Sequence, residues 1–174
     1  MADMLVKLYD LPPIEPLLAQ LKQEGIEIYR SIPAHKSLVV EWVQWHFPGT
    51  WALETEAAFE QRPITCFVAV HKQPSELPAE SPYDQNPELL VGFAVYDVTA
   101  RGLFGPTGVR EDYRGKGIGK ALLLACLYAM RDERYAYAVI GWAGPVDFYS
   151  RAVGAMVIPG SEPGIFRPLP SLDV

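Results

Sequence analysis

The sequence predicts an α/β fold, a mixed sheet flanked by helices. Three observations carry this expectation. Runs rich in β-branched and aromatic residues alternate with segments whose apolar residues recur at helical spacing, and from Pro63 onward they follow a ββ–β–α–β–α–β order. The length of 174 residues suits one domain, 1–174, large enough to bury a core without staples. Hydrophobic residues make up 49% and aromatics 11%, which excludes a disordered chain.

Met4 to Tyr9 reads as a short strand closed by Asp10 and Pro12-Pro13. Pro13 to Glu24 reads as a helix with Ile14, Leu17, Leu18 and Leu21 on one face. Pro16 is tolerated in its first turn, and Gly25 suits its C-terminal stop. Ile26 to Ile32 reads as a strand. Ser37 to His46 is expected to be a helix with Leu38, Val39, Trp42, Val43 and Trp45 on a wide apolar face. Pro48-Gly49 breaks it, and Thr50 is placed to cap the next helix, Trp51 to Gln61. Pro63 to His71 and Leu89 to Val98 read as two strands of one sheet. Between them, Gln73 to Pro87 holds four prolines and reads as a long loop. Leu103 to Val109 is a third strand; Gly105, Pro106 and Gly108 within it predict a bulge or a splay from its neighbour. Ile118 to Met130 is the clearest helix. Tyr135 to Trp142 reads as a buried strand, Pro145 to Gly154 as a helix with an N-terminal Pro and C-terminal Gly. Ala155 to Ile158 and Gly164 to Leu169 are expected as short closing strands.

Fifteen Lys and Arg against 21 Asp and Glu leave a net charge of −6, which argues against a nucleic-acid partner. Cys66 and Cys126 lie in apolar runs without metal-ligand spacing, as buried thiols of a reducing cytoplasm do. The three histidines add no metal pattern, so no metal is expected. The N-terminus lacks a basic region followed by an apolar stretch, unlike a signal peptide. The longest apolar run, Ala121 to Met130, falls short of the roughly 20 residues that span a bilayer. The expectation is a soluble cytoplasmic protein with no membrane partner.

One segment opposes the overall charge. Arg110 to Lys120 carries four basic and two acidic residues, and Gly115, Gly117 and Gly119 stand directly before the clearest helix. A helix start leaves about four N–H groups without intrahelical partners. Together with the positive end of the helix dipole they form an anion site, and a phosphate or pyrophosphate is its natural guest. A Walker loop is excluded, because Ala121 follows Gly119-Lys120 and Arg occupies position 114. The two-and-two glycine spacing also excludes a dinucleotide fingerprint.

What remains, Arg114-x-x-Gly117-x-Gly119 opening a helix after a strand, resembles the acyl-CoA-binding loop of the GNAT N-acetyltransferase family. Phe148-Tyr149, followed five residues past Tyr149 by Gly154, matches that family's usual ending. The resemblance runs from about Ile64 to the C-terminus and is strongest over 103–154. It implies a mostly antiparallel central sheet, splayed between two central strands, and acetyl-CoA as co-substrate. Backbone N–H groups of Gly115, Lys116, Gly117, Ile118 and Gly119, with Arg114 and Lys120, would hold the coenzyme A pyrophosphate. Val109 would pair through its backbone with the pantetheine arm. Tyr149 looks like the family's general acid, donating to the departing thiolate. Two departures stand out: Trp142 occupies a position where many relatives carry Asn, and Ala155 one where Phe is common.

The implied activity is transfer of an acetyl group to a primary amine, small molecule or peptide, by direct attack in a ternary complex. The alternative is an acyl-CoA-binding sensor or interaction module without turnover. Asp97, Glu41, His35 and His46 are candidates for the base, and no spacing singles one out. Trp42, Trp45, Trp51 and Phe47 form an aromatic group around Pro48-Gly49, read as packing or as a face for an apolar or cationic acceptor. Residues 4–25 are a possible extra N-terminal strand and helix that covers a sheet edge or supports a homodimer.

Overall fold

The computed structural model describes residues 1–47, 49–72 and 88–165. Its strands are β1 Met4–Lys7, β2 Ile26–Arg30, β3 Cys66–His71, β4 Leu89–Tyr96, β5 Leu103–Val109, β6 Tyr137–Ile140 and β7 Met156–Val157. The helices are α1 Glu15–Gln23, α2 Lys36–His46, α3 Trp51–Glu60, α4 Ile118–Asp132 and α5 Val146–Val153. The strands form one sheet in the order β2-β3-β4-β5-β6-β1-β7. Every neighbouring pair is antiparallel except β5 and β6. The expected mixed, mostly antiparallel sheet flanked by helices is thus present.

β4 is buried along its whole length, and its side chains feed the two faces in turn. Leu89, Val91, Ala94 and Tyr96 join α4, α5 and β1 in one core. Leu90, Phe93 and Val95 join α2 and α3 in the other. A strand covered on both faces has no polar side to its alternation, which is why its sequence is apolar throughout. α4 is likewise buried nearly all round, from Ile118 to Met130. Arg30 ties β2 across the sheet: its guanidinium donates to the Ile64 carbonyl (2.6 Å) and the Tyr96 hydroxyl (3.0 Å), and Tyr96 donates to Glu133 at the end of α4.

The N-terminal strand is an inner strand, not an edge cover. β1 lies between β6 and β7, pairing Met4 with Ile140 and with Val157. α1 then carries the chain back across α4 to β2, with Leu21 fully buried.

Other elements depart from the reading in detail. The strand expected over 135–142 is limited to Tyr137–Ile140, because the Tyr135 hydroxyl donates to Asp97 and Trp142 takes a positive φ of 52°. Thr50 makes no side-chain cap on α3. Leu38 and Trp45 are exposed, so the apolar face of α2 is narrower than expected. Gly164 and Ile165 form no strand, and 166–169 lie outside the described residues, as does the loop 73–87.

The aromatic group is a packed wall with changed membership. Trp42, Phe47, Trp51 and Phe93 pack ring on ring, with centroids 5.4–6.4 Å apart. The tip of the Phe47 ring abuts Gly108 of β5, where a Cβ would stand 2.5 Å from the ring. Gly108 is therefore required by the close approach of an aromatic ring. Gly108→Ala is expected to cost about 1–3 kcal/mol by overpacking, and less when Phe47→Ala removes the ring. Urea denaturation of the two single variants and the double variant measures that coupling.

Candidate functional site

β5 leaves the sheet on one side only. It stays paired with β4 as far as Val109, opposite Gly92. Its parallel pairing with β6 covers only Leu103 with Val139 and Phe104 with Ile140. The next residues explain the parting. Gly105 adopts φ 112°, and Pro106 has no N–H for a ladder. On the other strand, Trp142 turns away with its N–H held by the Asp3 carboxylate at 2.8 Å. The Arg110 N–H donates to the Val91 carbonyl on the β4 side. Antiparallel alternation then directs the N–H and C=O of Val109 to the opposite edge, where β6 has departed.

A cavity of about 610 Å³ fills this opening. β5 contributes its floor from Leu103 to Val109, β6 and the following turn contribute Ile140, Gly141 and Trp142, and α5 contributes Phe148 and Tyr149. Arg114 and Gly119 line it at the start of α4, and Trp51 and Glu54 line it from α3.

The start of α4 has the form of an anion site. Gly115 and Gly117 take left-handed conformations, with φ 82° and 89°, and Gly117 is the residue that enters the helix. The first amide of this segment to find a backbone partner is that of Ala121, which donates to Gly117. Among the described residues, the N–H groups of Gly115 to Lys120 have no hydrogen-bond partner. Ile118 is buried, so only its backbone is available here, whereas Arg114 and Lys116 are exposed. Arg114 Nε donates to the Val109 carbonyl at 3.3 Å, which holds the guanidinium at the mouth of the open edge. Lys116 leans toward Glu24, at 3.9 Å. Free N–H groups, a helix dipole and nearby cations fit a pyrophosphate.

Tyr149 is 7% exposed, and its ring meets the edge of Phe104 at 6.5 Å. Its hydroxyl has no hydrogen-bond partner among the described residues, and burial pushes its pKa up to about 12. The phenol is therefore protonated at neutral pH and is a donor without an acceptor beside an apolar cavity.

The candidate bases do not reach this cavity. Asp97 organises a turn, accepting from the Gly102 N–H (2.6 Å) and the Tyr135 hydroxyl (2.7 Å). Glu41 is exposed on α2, His35 pairs with the Ile32 N–H, and His46 stacks on Trp42 at 4.7 Å. None of the four lines the cavity. Glu54 does, and sequence reasoning missed it. The available signal was its position one helical turn after Trp51, which puts both on one face. Cys66 and Cys126 are buried free thiols, both pushed up by burial. Among the described residues no cluster of potential metal ligands occurs, and no helix is long and apolar enough to cross a membrane.

Comparison with known proteins defines the class. The acetyltransferase (GNAT) family model matches residues 36–154. Solved structures show the same fold. A GCN5-related glucosamine N-acetyltransferase region of a fungal multi-domain GH3 β-N-acetylglucosaminidase aligns with TM-score 0.66 and 17% identity, over 90% of this chain and 19% of that one. A GCN5-related N-acetyltransferase from Sphaerobacter thermophilus aligns with TM-score 0.64 and 23% identity, over 90% and 48%. One from Kribbella flavida aligns with TM-score 0.53 and 14% identity, over 90% and 53%. The chain thus spans about half or less of the length of these proteins. No curated protein matches it significantly. With its family model covering most of the chain, this protein belongs to the acetyltransferase (GNAT) family, a family of acyltransferases.

The loop before α4 is anchored by Tyr113, whose hydroxyl meets His71 Nδ1 at 2.7 Å. Burial, and then the charge of Lys116, hold the His71 pKa below its ordinary 6.5. A depressed folded-state pKa contributes stability that is present above the unfolded value and lost as pH falls through the folded one. Denaturation midpoints are expected to drop below about pH 6.5, and to drop less in His71→Gln. Midpoints measured from pH 8 to 5 on both proteins check this.

Proposed function

We propose that this protein transfers an acetyl group from acetyl-CoA to a primary amine, by direct attack while both substrates are bound. One observation carries the reading. A single cavity joins the helix-start anion site, the open edge of β5 and the unpartnered phenol of Tyr149. Such a cavity suits a long ligand with a charged end and a reactive end.

In this reading the N–H groups of Gly115 to Gly119 hold the pyrophosphate, with Arg114, Lys116 and Lys120 adding charge. Val109 extends the sheet by bonding the pantetheine amides along its free edge. The β5 backbone past Gly105 polarises the thioester carbonyl. The amine lone pair forms the new C–N bond, the C–S bond breaks, and Tyr149 gives its proton to the leaving sulfur and regains one from water. The proton lost from the amine passes to water. Burial keeps the Tyr149 phenol protonated throughout the neutral range, so its O–H stays available to the leaving sulfur. The described sheet and its helices act in this reading as one acetyltransferase domain.

Thiol release from acetyl-CoA across a panel of amines tests the activity; tight coenzyme binding without acceptor-dependent release would indicate a binding module instead. Tyr149→Phe is expected to lower kcat on the order of a hundredfold and to leave the acetyl-CoA dissociation constant unchanged. Equal turnover in this variant removes Tyr149 from the chemistry.

A further inference from the structure

The cavity has two electrical poles, and only one is accounted for by coenzyme A. Arg114 sits at the C-terminal end of β5, on the Val109 carbonyl. Glu54 sits beside the turn that leads into the other end of β5, where Thr99 Oγ1 donates to its Oε1 at 2.6 Å. Seven strand residues separate these ends, a span of about 20 Å. Among the described residues lining the cavity, Glu54 is the only carboxylate. Thr99 occupies one oxygen, and the other has no partner among the described residues. Trp51, one turn earlier on α3, presents its ring to the same cavity and is itself stacked on Phe47, 5.4 Å between centroids. A fixed carboxylate beside an immobilised indole is a site for an alkylammonium group.

We infer that Glu54 and Trp51 form the acceptor subsite of this cleft and select an amine that carries a second cationic group. The inference rests on the acetyl-transfer reading for the identity of the reacting nitrogen. That nitrogen must be neutral to attack. A carboxylate holds an ammonium readily but deprotonates it poorly, since amines are stronger bases by about six pK units. The charge held at Glu54 is therefore a different nitrogen from the one acetylated. The substrate class is a diamine or polyamine with an apolar linker. Thr99 is a positioning residue, holding the carboxylate in one orientation.

The test uses α,ω-diamines of four to eight carbons, with the n-alkylamine and the ω-amino acid of each length. These differ only in the distal charge. Binding is measured by calorimetry on the protein saturated with coenzyme A, and turnover by thiol release with acetyl-CoA. At the best length the diamine is expected to bind about tenfold tighter than the alkylamine, and the amino acid more weakly than either. Glu54→Gln is expected to abolish the gap, and Thr99→Val to narrow it. An unchanged gap in Glu54→Gln, no gap in the unaltered protein, or no acceptor binding overturns the inference. Charge-selective binding that depends on Glu54, without thiol release from any acceptor, supports it and overturns acetyl transfer instead.

Discussion

The parting of β5 from β6 is the constraint on which the rest of the site depends. Two parallel strands that begin paired at Leu103 and Phe104 would normally continue their ladder. Here Pro106 has no N–H to offer, and Gly105 takes a conformation closed to most residues. On β6, Asp3 captures the Trp142 N–H and turns the chain outward. The backbone groups of β5 beyond Phe104 are left facing a cavity. An unpaired strand edge is usually a liability in a folded protein. Here it lies between two central strands and is walled by side chains, so it lines a cavity and is not an outer edge.

That opening would serve little without the helix start next to it. α4 is held by burial nearly all round, so its N-terminus cannot drift. Gly117 enters the helix at positive φ with the Leu17 side chain against it, where a Cβ would meet Leu17 at 3.0 Å. The free N–H groups are thus fixed by packing on two sides. His71 and Tyr113 brace the approach. A chain of net charge −6 gathers Arg114, Lys116 and Lys120 here, and among the described residues lining the cavity its single carboxylate is Glu54. This separation of charge within the cavity is hidden by the total.

The wall of the cleft comes from parts of the chain that are distant in sequence. Phe47 and Trp51 reach β5 across the α2–α3 corner, which is why Gly108 has no room for a side chain. The first residues do as much on the opposite rim. Met1 lines the cavity, Asp3 holds Trp142, and the Ala2 carbonyl accepts from Ala143. With β1 inserted between β6 and β7, the N-terminal segment is part of the site's architecture. Trp142, 45% exposed, closes the cavity from that side.

Much of this was legible in the sequence, and for local reasons. The glycine spacing before α4, the Gly-Pro break in β5 and the Gly154 stop of α5 each declare a backbone requirement within a few residues, and Phe148-Tyr149 was legible through the family resemblance. Periodicity placed the helices to within a residue or two. The failures share a cause. The base could not be chosen among Asp97, Glu41, His35 and His46, because the partners that occupy Asp97, Gly102 and Tyr135, meet it only across a turn and a neighbouring strand. Trp45 resembled a core residue because α2 packs with a narrower face than its composition allows.

The order of strands and helices, the glycine-rich turn into α4 and the break in β5 follow from the sequence alone, because dihedral limits and hydrogen-bonding needs act along the chain; Tyr149 stood out through the family resemblance. Only the tertiary structure decided that β1 lies between β6 and β7, that Asp3 turns Trp142 aside, and that Glu54 shares a cavity with Tyr149. Those outcomes depend on which surfaces bury one another across more than ninety residues. Burial has no period by which a sequence could announce its partner.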